Sequence, residues 1–132
     1  MSFRMNPTTA LVALAALAVA GSAAAAPAGN AGKGKMLFGQ QCMLCHSVAA
    51  GQEGAAPSLY GVVGRKAASE PGFPAYSRAL KGSGLTWTKA NLDTFLSGPG
   101  KMVPGTNMPI TLSNPQDRAN VVAYLASVKS SH

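Results

Sequence analysis

Both cysteines of the chain lie in one short segment, Gln41-Cys42-Met43-Leu44-Cys45-His46, and a histidine follows them directly. Cys-x-x-Cys-His is the signature that attaches a c-type haem. Two thiols at this spacing can add across the two vinyl groups on one porphyrin edge and form thioethers. The adjacent imidazole can then bind the iron from below. The segment therefore predicts one covalently bound haem c, with Cys42 and Cys45 as attachment points and His46 as an iron ligand.

Three other kinds of site could use the same residues. A thioredoxin-like redox pair requires a βαβ context, which the sequence pattern does not show. A structural zinc site requires four ligands, and beyond these three residues only His132 remains as a candidate. In an exported protein, Cys42 and Cys45 could also form a local disulfide. The order of the motif favours haem over all three.

The other axial position of the iron requires a second side chain, and methionine opposite histidine is the electron-transfer arrangement. Met102 and Met108 both lie in the segment 100–110, which is rich in proline and glycine. The composition of this segment favours neither strongly. A lone methionine otherwise fills gaps in a hydrophobic core, and this interpretation is applied to Met36 and Met102.

The residues that position the motif are predicted to form an all-α domain. A first helix is expected over about residues 32–46, where it would carry both thiols to the haem edge. Residues 47–87 are rich in glycine and proline and show no strand alternation. A loop of this length in a compact domain is usually functional, and here we expect it to wrap around the haem. A short helix is expected near residues 75–80.

Two further helices have clear start signals. Thr88 is a good N-cap, and the apolar residues after it recur at helical spacing. The run Gly98-Pro99-Gly100 should end that helix. The last helix should begin after Asn114, with Pro115 at its first position and Asp117 facing the positive end of the dipole.

The N-terminus has the composition of an export signal. Arg4 is the one charge before an apolar run, Leu11–Ala20, which small residues follow. This order is typical of a secretory signal peptide, and the run is short for a spanning helix of about 20 residues. We expect a cleaved signal peptide over residues 1–28, a mature domain over 29–132 and a periplasmic protein. An uncleaved N-terminal anchor is the alternative.

The charge balance limits the kinds of partner. The formal net charge is +7, from 11 Lys and Arg residues against 4 Asp and Glu. Because no run of five or six basic residues occurs, a nucleic-acid-binding tail is a poor interpretation. A scattered basic face more often steers docking onto an acidic partner.

Over about residues 33–129 the chain resembles the class I cytochromes c, in the mitochondrial-type and bacterial cytochrome c2-like branch. Many stretches match in the right order, which is far more specific than the haem motif alone. The stretches that carry the resemblance are Lys33-Gly-Lys-Met-Leu-Phe38, Cys42-Met-Leu-Cys-His46, Pro57-Ser-Leu-Tyr-Gly61, Gly64-Arg-Lys66, Pro71-Gly-Phe73, Thr86-Trp-Thr88, Pro104-Gly-Thr-Asn-Met108 and Asp117-Arg-Ala-Asn-Val-Val-Ala-Tyr-Leu125.

The resemblance implies a role for individual residues. Met108 corresponds to the family's distal iron ligand, which decides against Met102. The carbonyl of Pro57 is implied to accept a hydrogen bond from the His46 ring, an arrangement that orients a ligating histidine. The residues implied to surround the haem propionates are Arg65, Tyr76, Trp87 and Thr106. Those implied to join the first and last helices are Gly34, Phe38, Val121 and Tyr124.

The resemblance also implies the function, a soluble single-haem electron carrier that is not an enzyme. A haem peroxidase would need an open iron position and a distal acid or base, and a gas sensor would let a gas displace Met108. The chain departs from many relatives at Phe95, where a tyrosine often lies near the methionine sulfur. Expected partners are acidic redox proteins, such as a bc1-type complex, an oxidase, a photosynthetic reaction centre or a periplasmic dehydrogenase. A monomer would meet them by transient docking at the membrane surface.

Overall fold

A computed structural model of the chain describes residues 2, 15–18, 20–21 and 26–128. Within these residues, the helices are α1 (Ala31–Gln41), α2 (Arg78–Lys81), α3 (Lys89–Ser97), α4 (Pro99–Met102) and α5 (Pro115–Ser127). The one β-pairing in this part of the chain is an isolated antiparallel bridge between Lys66 and Thr86. The helices thus confirm the all-α prediction for the described residues. No helix among them is long and apolar enough to cross a membrane.

Helix α1 begins directly after its N-cap, Asn30, and ends earlier than the sequence predicted. The side chain of Asn30 accepts a hydrogen bond from the Lys33 amide at 2.9 Å. At the other end, the amides of Cys42 and Met43 both donate to the carbonyl of Phe38, at 2.8 and 3.1 Å. Because Met43 reaches back five residues instead of four, the helical ladder stops at Gln41. The expected extension of this helix to residue 46 is therefore wrong, and the haem motif forms a turn.

Helices α1 and α5 cross at a close contact. A methyl group at Gly34 would overlap the backbone carbonyl of Asn120 and lie 2.9 Å from Tyr124 Cβ. The rings of Phe38 and Tyr124 pack with centroids 5.5 Å apart, and Val121 is fully buried. These contacts bear out the expected meeting of the first and last helices. They place the start of the haem motif directly after a helix that is fixed against the core.

The middle of the chain differs from the prediction in two places. Helix α2 begins at Arg78, after the Ser77 cap, and so lies slightly later than the expected residues 75–80. The run 98–100 does end α3 at Ser97, but Pro99 also starts the four-residue helix α4. Proline is favoured at the first helical position because its missing N–H would be unpaired there anyway. A helix break and a helix start therefore share the same residues.

Candidate haem-binding site

The haem motif forms a tight turn at the end of α1. The amides of Cys45 and His46 both donate to the Cys42 carbonyl, at 3.1 and 2.9 Å. Both cysteines are free thiols; Cys42 is 8% exposed, whereas Cys45 is open to solvent. Burial raises the pKa of the Cys42 thiol above its ordinary value. The turn therefore presents two uncombined thiols, one facing the interior and one at the surface.

His46 is held by the backbone of the following loop. Its Nδ1 lies 2.7 Å from the Pro57 carbonyl oxygen. Because a carbonyl can only accept, Nδ1 carries the proton, and Nε2 is left with a lone pair. Burial lowers the pKa of His46, and the Pro57 hydrogen bond opposes this shift with a smaller effect. The ring is thus neutral near pH 7 and has one nitrogen prepared for a metal.

Two methionines occupy different settings after α3. Met102 lines a cavity of about 270 Å³ together with Leu85 and Val103. Met108 follows a turn in which the Thr106 amide donates to the Val103 carbonyl at 3.0 Å. The Met108 amide in turn donates to the Thr106 hydroxyl at 3.3 Å. Both methionine side chains are partly buried against the core. The Thr106 hydroxyl thus fixes the backbone that carries Met108.

Arg65 is the centre of a polar cluster in the long loop. Its Nη1 donates to Glu70 Oε2 at 2.8 Å and to the Tyr60 carbonyl at 3.0 Å, and Nη2 donates to the Ser58 carbonyl at 2.8 Å. Its Nε is buried and has no hydrogen-bond partner. The hydroxyl of Tyr76 accepts from the Glu70 amide at 3.2 Å. The cluster therefore brings Arg65 and Tyr76 together and leaves one buried donor unused.

Trp87 is placed beside this cluster by backbone pairing. The Trp87 amide donates to the Arg65 carbonyl, and the Gly64 amide donates to the Trp87 carbonyl, both at 2.8 Å. The Trp87 side chain is 7% exposed and packs on Phe95, with ring centroids 4.9 Å apart. Gly64 has φ +91°, a conformation that glycine adopts without strain. These two hydrogen bonds hold the backbone of Trp87 next to that of Gly64 and Arg65.

Burial and local charges act together on Tyr76. Desolvation, the largest effect, raises the pKa of its hydroxyl, and the carboxylates of Glu70 and Glu53 raise it further. The Glu70 amide and the Arg65 charge lower the same pKa. Tyr76 also packs edge-on against Phe73, with centroids 5.0 Å apart. Its hydroxyl thus remains protonated at neutral pH and can donate a hydrogen bond.

The donor set fits haem c. Two free thiols at the attachment spacing suit two vinyl groups, and a neutral imidazole with a free Nε2 suits iron. The buried, unpartnered Nε of Arg65 is a cationic donor suited to a carboxylate, such as a haem propionate. An unpaired buried donor is costly, and a propionate at this place would remove the cost. Among the described residues, no three His, Cys, Asp or Glu side chains gather into a metal site.

The sequence pattern assigns no role to two residues of the site. One is Glu70, the ion-pair partner of Arg65. The other is Ser58, which follows Pro57, is fully buried and donates to the Ala49 carbonyl at 2.8 Å. Met36 is 68% exposed, so its assignment to the core was wrong. Met36 lies two residues before Phe38, which is about 200° around the helix axis, so its side chain is on the solvent side of α1, opposite the buried Phe38. Most of the predicted signal peptide, and also His132, lie outside the described residues.

Comparison with known proteins identifies the family. The Cytochrome c family model matches residues 31–129. Cytochrome c2 of Rhodomicrobium vannielii is 50% identical over 97 residues, which cover 72% of this chain and 76% of that protein. Cytochrome c of Tetrahymena pyriformis is 48% identical over 100 residues, covering 75% and 89% of the two chains.

A solved structure supports the same conclusion at the level of fold. Cytochrome cH from Methylobacterium extorquens is 42% identical and superposes with a TM-score of 0.69, over 75% of this chain and 99% of that one. The expected class I cytochrome c fold is thereby confirmed. The family match over most of the chain, together with these identities, shows that the protein belongs to the cytochrome c family, whose members bind haem c covalently and carry electrons.

Proposed function

We propose that this chain carries single electrons between periplasmic or membrane-bound redox proteins, with Cys42 and Cys45 joined to haem c by two thioethers. The observation that carries the proposal is the His46 Nδ1 to Pro57 carbonyl distance of 2.7 Å directly behind the paired thiols. It leaves Nε2 of a neutral ring free at the place where the motif requires an iron ligand. Haem c supplies a one-electron couple between ferric and ferrous iron when it is bound.

Met108 is proposed as the second iron ligand. Its thioether sulfur is a soft donor that favours the ferrous state. The Thr106 hydroxyl holds the Met108 amide, so the ligand is carried on a fixed turn. Because His46 and Met108 would hold the iron in both oxidation states, little would have to rearrange on electron transfer. A carrier with filled axial positions differs in this respect from a peroxidase or a gas sensor, which needs an accessible iron.

The residues proposed to surround the propionates act as donors and as a barrier to water. Arg65 offers its unpartnered Nε, and Tyr76 offers a protonated hydroxyl. Trp87, buried beside them, excludes solvent from one side. The Thr106 hydroxyl is proposed to lie near a propionate beneath the methionine turn. Low polarity around the iron disfavours the additional positive charge of the ferric state.

Export to the periplasm is also part of the proposal. The signal peptide is assigned to residues 1–28, and the mature domain to residues 29–132. Among the described residues, Ala28 and Gly29 both contact α5: Gln116 Nε2 donates to the Ala28 carbonyl at 2.7 Å, and a methyl group at Gly29 would overlap the Ala119 carbonyl. The Asn30 amide then donates to Asn120 Oδ1 at 2.8 Å. The contacts of Gly29 and Asn30 support a mature domain that includes these residues.

The proposed partners are acidic redox proteins that a monomeric carrier meets transiently. Candidates are a bc1-type complex, an oxidase, a photosynthetic reaction centre or a periplasmic dehydrogenase. Four lysines that could face them are exposed, namely Lys35, Lys66, Lys89 and Lys101. Two apolar residues of the haem motif, Met43 and Leu44, are exposed as well, at 60% and 86%. Lysines can orient the encounter, and the apolar pair can contribute close contact.

Purified protein from a host that exports and matures c-type cytochromes provides the test. The intact mass of the denatured protein should equal that of the mature chain plus one haem. A redox titration followed by absorbance should show a reversible one-electron couple. Ferrous protein should resist carbon monoxide near neutral pH because Met108 occupies the iron. A haem-free chain with a Cys42–Cys45 disulfide would contradict the attachment, and ready binding of carbon monoxide would favour a sensor.

A further inference from the structure

Half of the acidic residues of a strongly basic chain gather at one place. The chain has four Asp and Glu residues and a net charge of +7. Two of the four, Glu53 and Glu70, act electrostatically on the Tyr76 hydroxyl, as does Arg65. The side chains of Arg65 and Glu70 are 19% and 15% exposed in their ion pair. Negative charge that is rare elsewhere is thus concentrated beside the proposed propionate-binding residues.

The geometry leaves Arg65 with very little freedom. Three of its contacts, to Glu70 Oε2 and to the carbonyls of Ser58 and Tyr60, use the terminal nitrogens of the guanidinium. Since Arg65 Nε is buried and has no partner, it is the donor of this side chain that remains for a ligand. The Glu70 carboxylate lies on the terminal side of the same planar group, so it can neutralise the charge without occupying Nε.

We propose that Glu70 is a positioning residue for Arg65 that also neutralises its charge, so that Arg65 gives the haem one hydrogen-bond donor with little net positive charge. This inference rests on the proposed attachment of haem c. Without Glu70, the charge of Arg65 would be opposed by the propionate alone, and the remaining positive field near the iron would favour the ferrous state more strongly. Paired with Glu70, it binds a propionate and leaves the ferric state less disfavoured. Glu70 therefore lowers the reduction potential.

The sign follows from elementary electrostatics. Ferric haem carries one more positive charge than ferrous haem, so a nearby carboxylate stabilises the ferric form. The interaction is strong where solvent is excluded and weak where it is not. The Glu70 side chain is 15% exposed and forms an ion pair with Arg65. The Glu53 carboxylate instead lies next to Gly72, where an added methyl group would be 2.7 Å away from it. Of the two carboxylates, Glu70 has the larger effect on Tyr76.

Three single substitutions that each remove one carboxylate test the proposal. Glu70→Gln keeps the size of the side chain and an oxygen that can accept from Arg65. Glu53→Gln removes the second carboxylate of the cluster. Asp93→Asn is the matched control, because Asp93 forms the other ion pair of the described residues, with Arg118 between α3 and α5 at 2.9 Å. The midpoint potential of each variant and of the wild type is measured by spectroelectrochemical titration in the same buffer.

Glu70→Gln is expected to raise the midpoint potential, Glu53→Gln to raise it less, and Asp93→Asn to leave it unchanged within error. Glu70→Asp, which restores the charge, should return the potential most of the way to the wild-type value. The proposal is overturned if Glu70→Gln leaves the potential unchanged or lowers it, or if Asp93→Asn shifts it equally. It is also overturned if Glu70→Asp shifts the potential as far as Glu70→Gln, because Glu70 would then act through shape and not charge.

Failure of this inference is distinguishable from failure of the proposed function. A wild-type protein without covalent haem or without a reversible couple would contradict the function. Intact haem and an unchanged sulfur–iron band in every variant, with no order among the potentials, would contradict only the role of Glu70. If Glu70→Gln does not retain haem, Glu53→Gln and Asp93→Asn decide whether a carboxylate of this cluster lowers the potential. A rise in Glu53→Gln alone, with Glu70→Asp near the wild-type value, supports the proposal, and equal potentials in Glu53→Gln and Asp93→Asn overturn it.

Discussion

The hydrogen bond from His46 Nδ1 to the Pro57 carbonyl oxygen fixes both the tautomer and the rotation of the imidazole ring. A side chain that turned freely would lose conformational entropy when it bound iron. Because the ring is already held, that entropy has been lost on folding and not on ligation. Proline is suited to this place, since the carbonyl it offers belongs to a backbone unit with a restricted φ. Pro57, which lies outside the haem motif, thus orients His46, which lies inside it.

The choice between two methionines gives a prediction at the same scale. We expect Met108→Ala to abolish the weak long-wavelength absorption band of sulfur–iron ligation in ferric protein and to open the ferrous iron to carbon monoxide. Met102→Ala is the control, since Met102 lines the cavity with Leu85 and Val103. It should keep the band and instead lower the free energy of unfolding, by less than the roughly 2–5 kcal/mol that truncating a fully buried methionine costs, because Met102 is only partly buried.

Absorption spectra with and without carbon monoxide, together with denaturant unfolding, separate the two effects. The assignment of Met108 fails if the band survives Met108→Ala and disappears in Met102→Ala. Loss of the band in both variants would mean that the turn after α4, and not one sulfur atom, controls the ligation.

At the scale of elements, two glycines of α1 should respond oppositely to the same substitution. Gly34 faces the Asn120 carbonyl and Tyr124, where a methyl group has no room. Gly39 is exposed, and a methyl group there would meet Met43 Sδ at 3.9 Å, an ordinary contact. We expect Gly34→Ala to destabilise the fold by about 1–3 kcal/mol through overpacking. Gly39→Ala should stabilise it by up to about 1 kcal/mol, because alanine is the better helix former.

Chemical denaturation of the two holoprotein variants, compared with the wild type, measures these changes. If both substitutions stabilise the protein, then the α1–α5 contact is looser than the structure shows. If both destabilise it equally, the loss arises from α1 itself and not from its crossing with α5.

Helix starts were easier to predict than helix ends. The side chain of Asn114 accepts from the amides of Gln116 and Asp117 at 2.8 and 3.2 Å, as its sequence position suggested. Such caps are local, so a few residues specify them. Helix α1 ends where the amides of Cys42 and Met43 both donate to the Phe38 carbonyl. No residue type at these positions predicts this shared hydrogen bond. Helix α4 was missed because Pro99 signals both a break and a start.

The cysteine pair and His46 could be recognised from spacing alone, because attachment chemistry demands neighbours in sequence. The Arg65–Glu70 ion pair could not, since the intervening loop must first fold back to bring the two side chains together. Asn120 was likewise hidden: its Oδ1 accepts from the Asn30 amide, 90 residues away. Polar residues whose partners are distant in sequence carry no periodic pattern, so their roles emerge only from the folded chain.

At the scale of the whole molecule, the acidic side chains are partly paired with arginines, whereas several lysines are exposed. Two of the four carboxylates, Glu70 and Asp93, form ion pairs with Arg65 and Arg118, so half of the negative charge is locally compensated. Lys35, Lys66, Lys89 and Lys101 remain exposed. Individual exposed pairs with a partner stabilise a complex by about 0–1 kcal/mol, whereas a summed field can raise association rates by roughly 10 to 10³.

Electron transfer to an acidic partner, such as a purified bc1-type complex, should therefore slow steeply as salt rises from about 0.01 to 0.15 M. Over this range the screening length falls from about 30 to about 8 Å. Lys101→Glu and Lys35→Glu should lower the second-order rate constant at low salt and flatten its salt dependence, with the spectrum and the potential nearly unchanged.

Leu44→Ser, at a side chain 86% exposed beside Cys45, should instead shorten the lifetime of the complex and leave the salt dependence of the rate constant intact. Stopped-flow kinetics at several salt concentrations measure both quantities. Rates that are indifferent to salt and to charge reversal, but sensitive to Leu44→Ser, would show that docking is apolar and that the basic balance has no part in it.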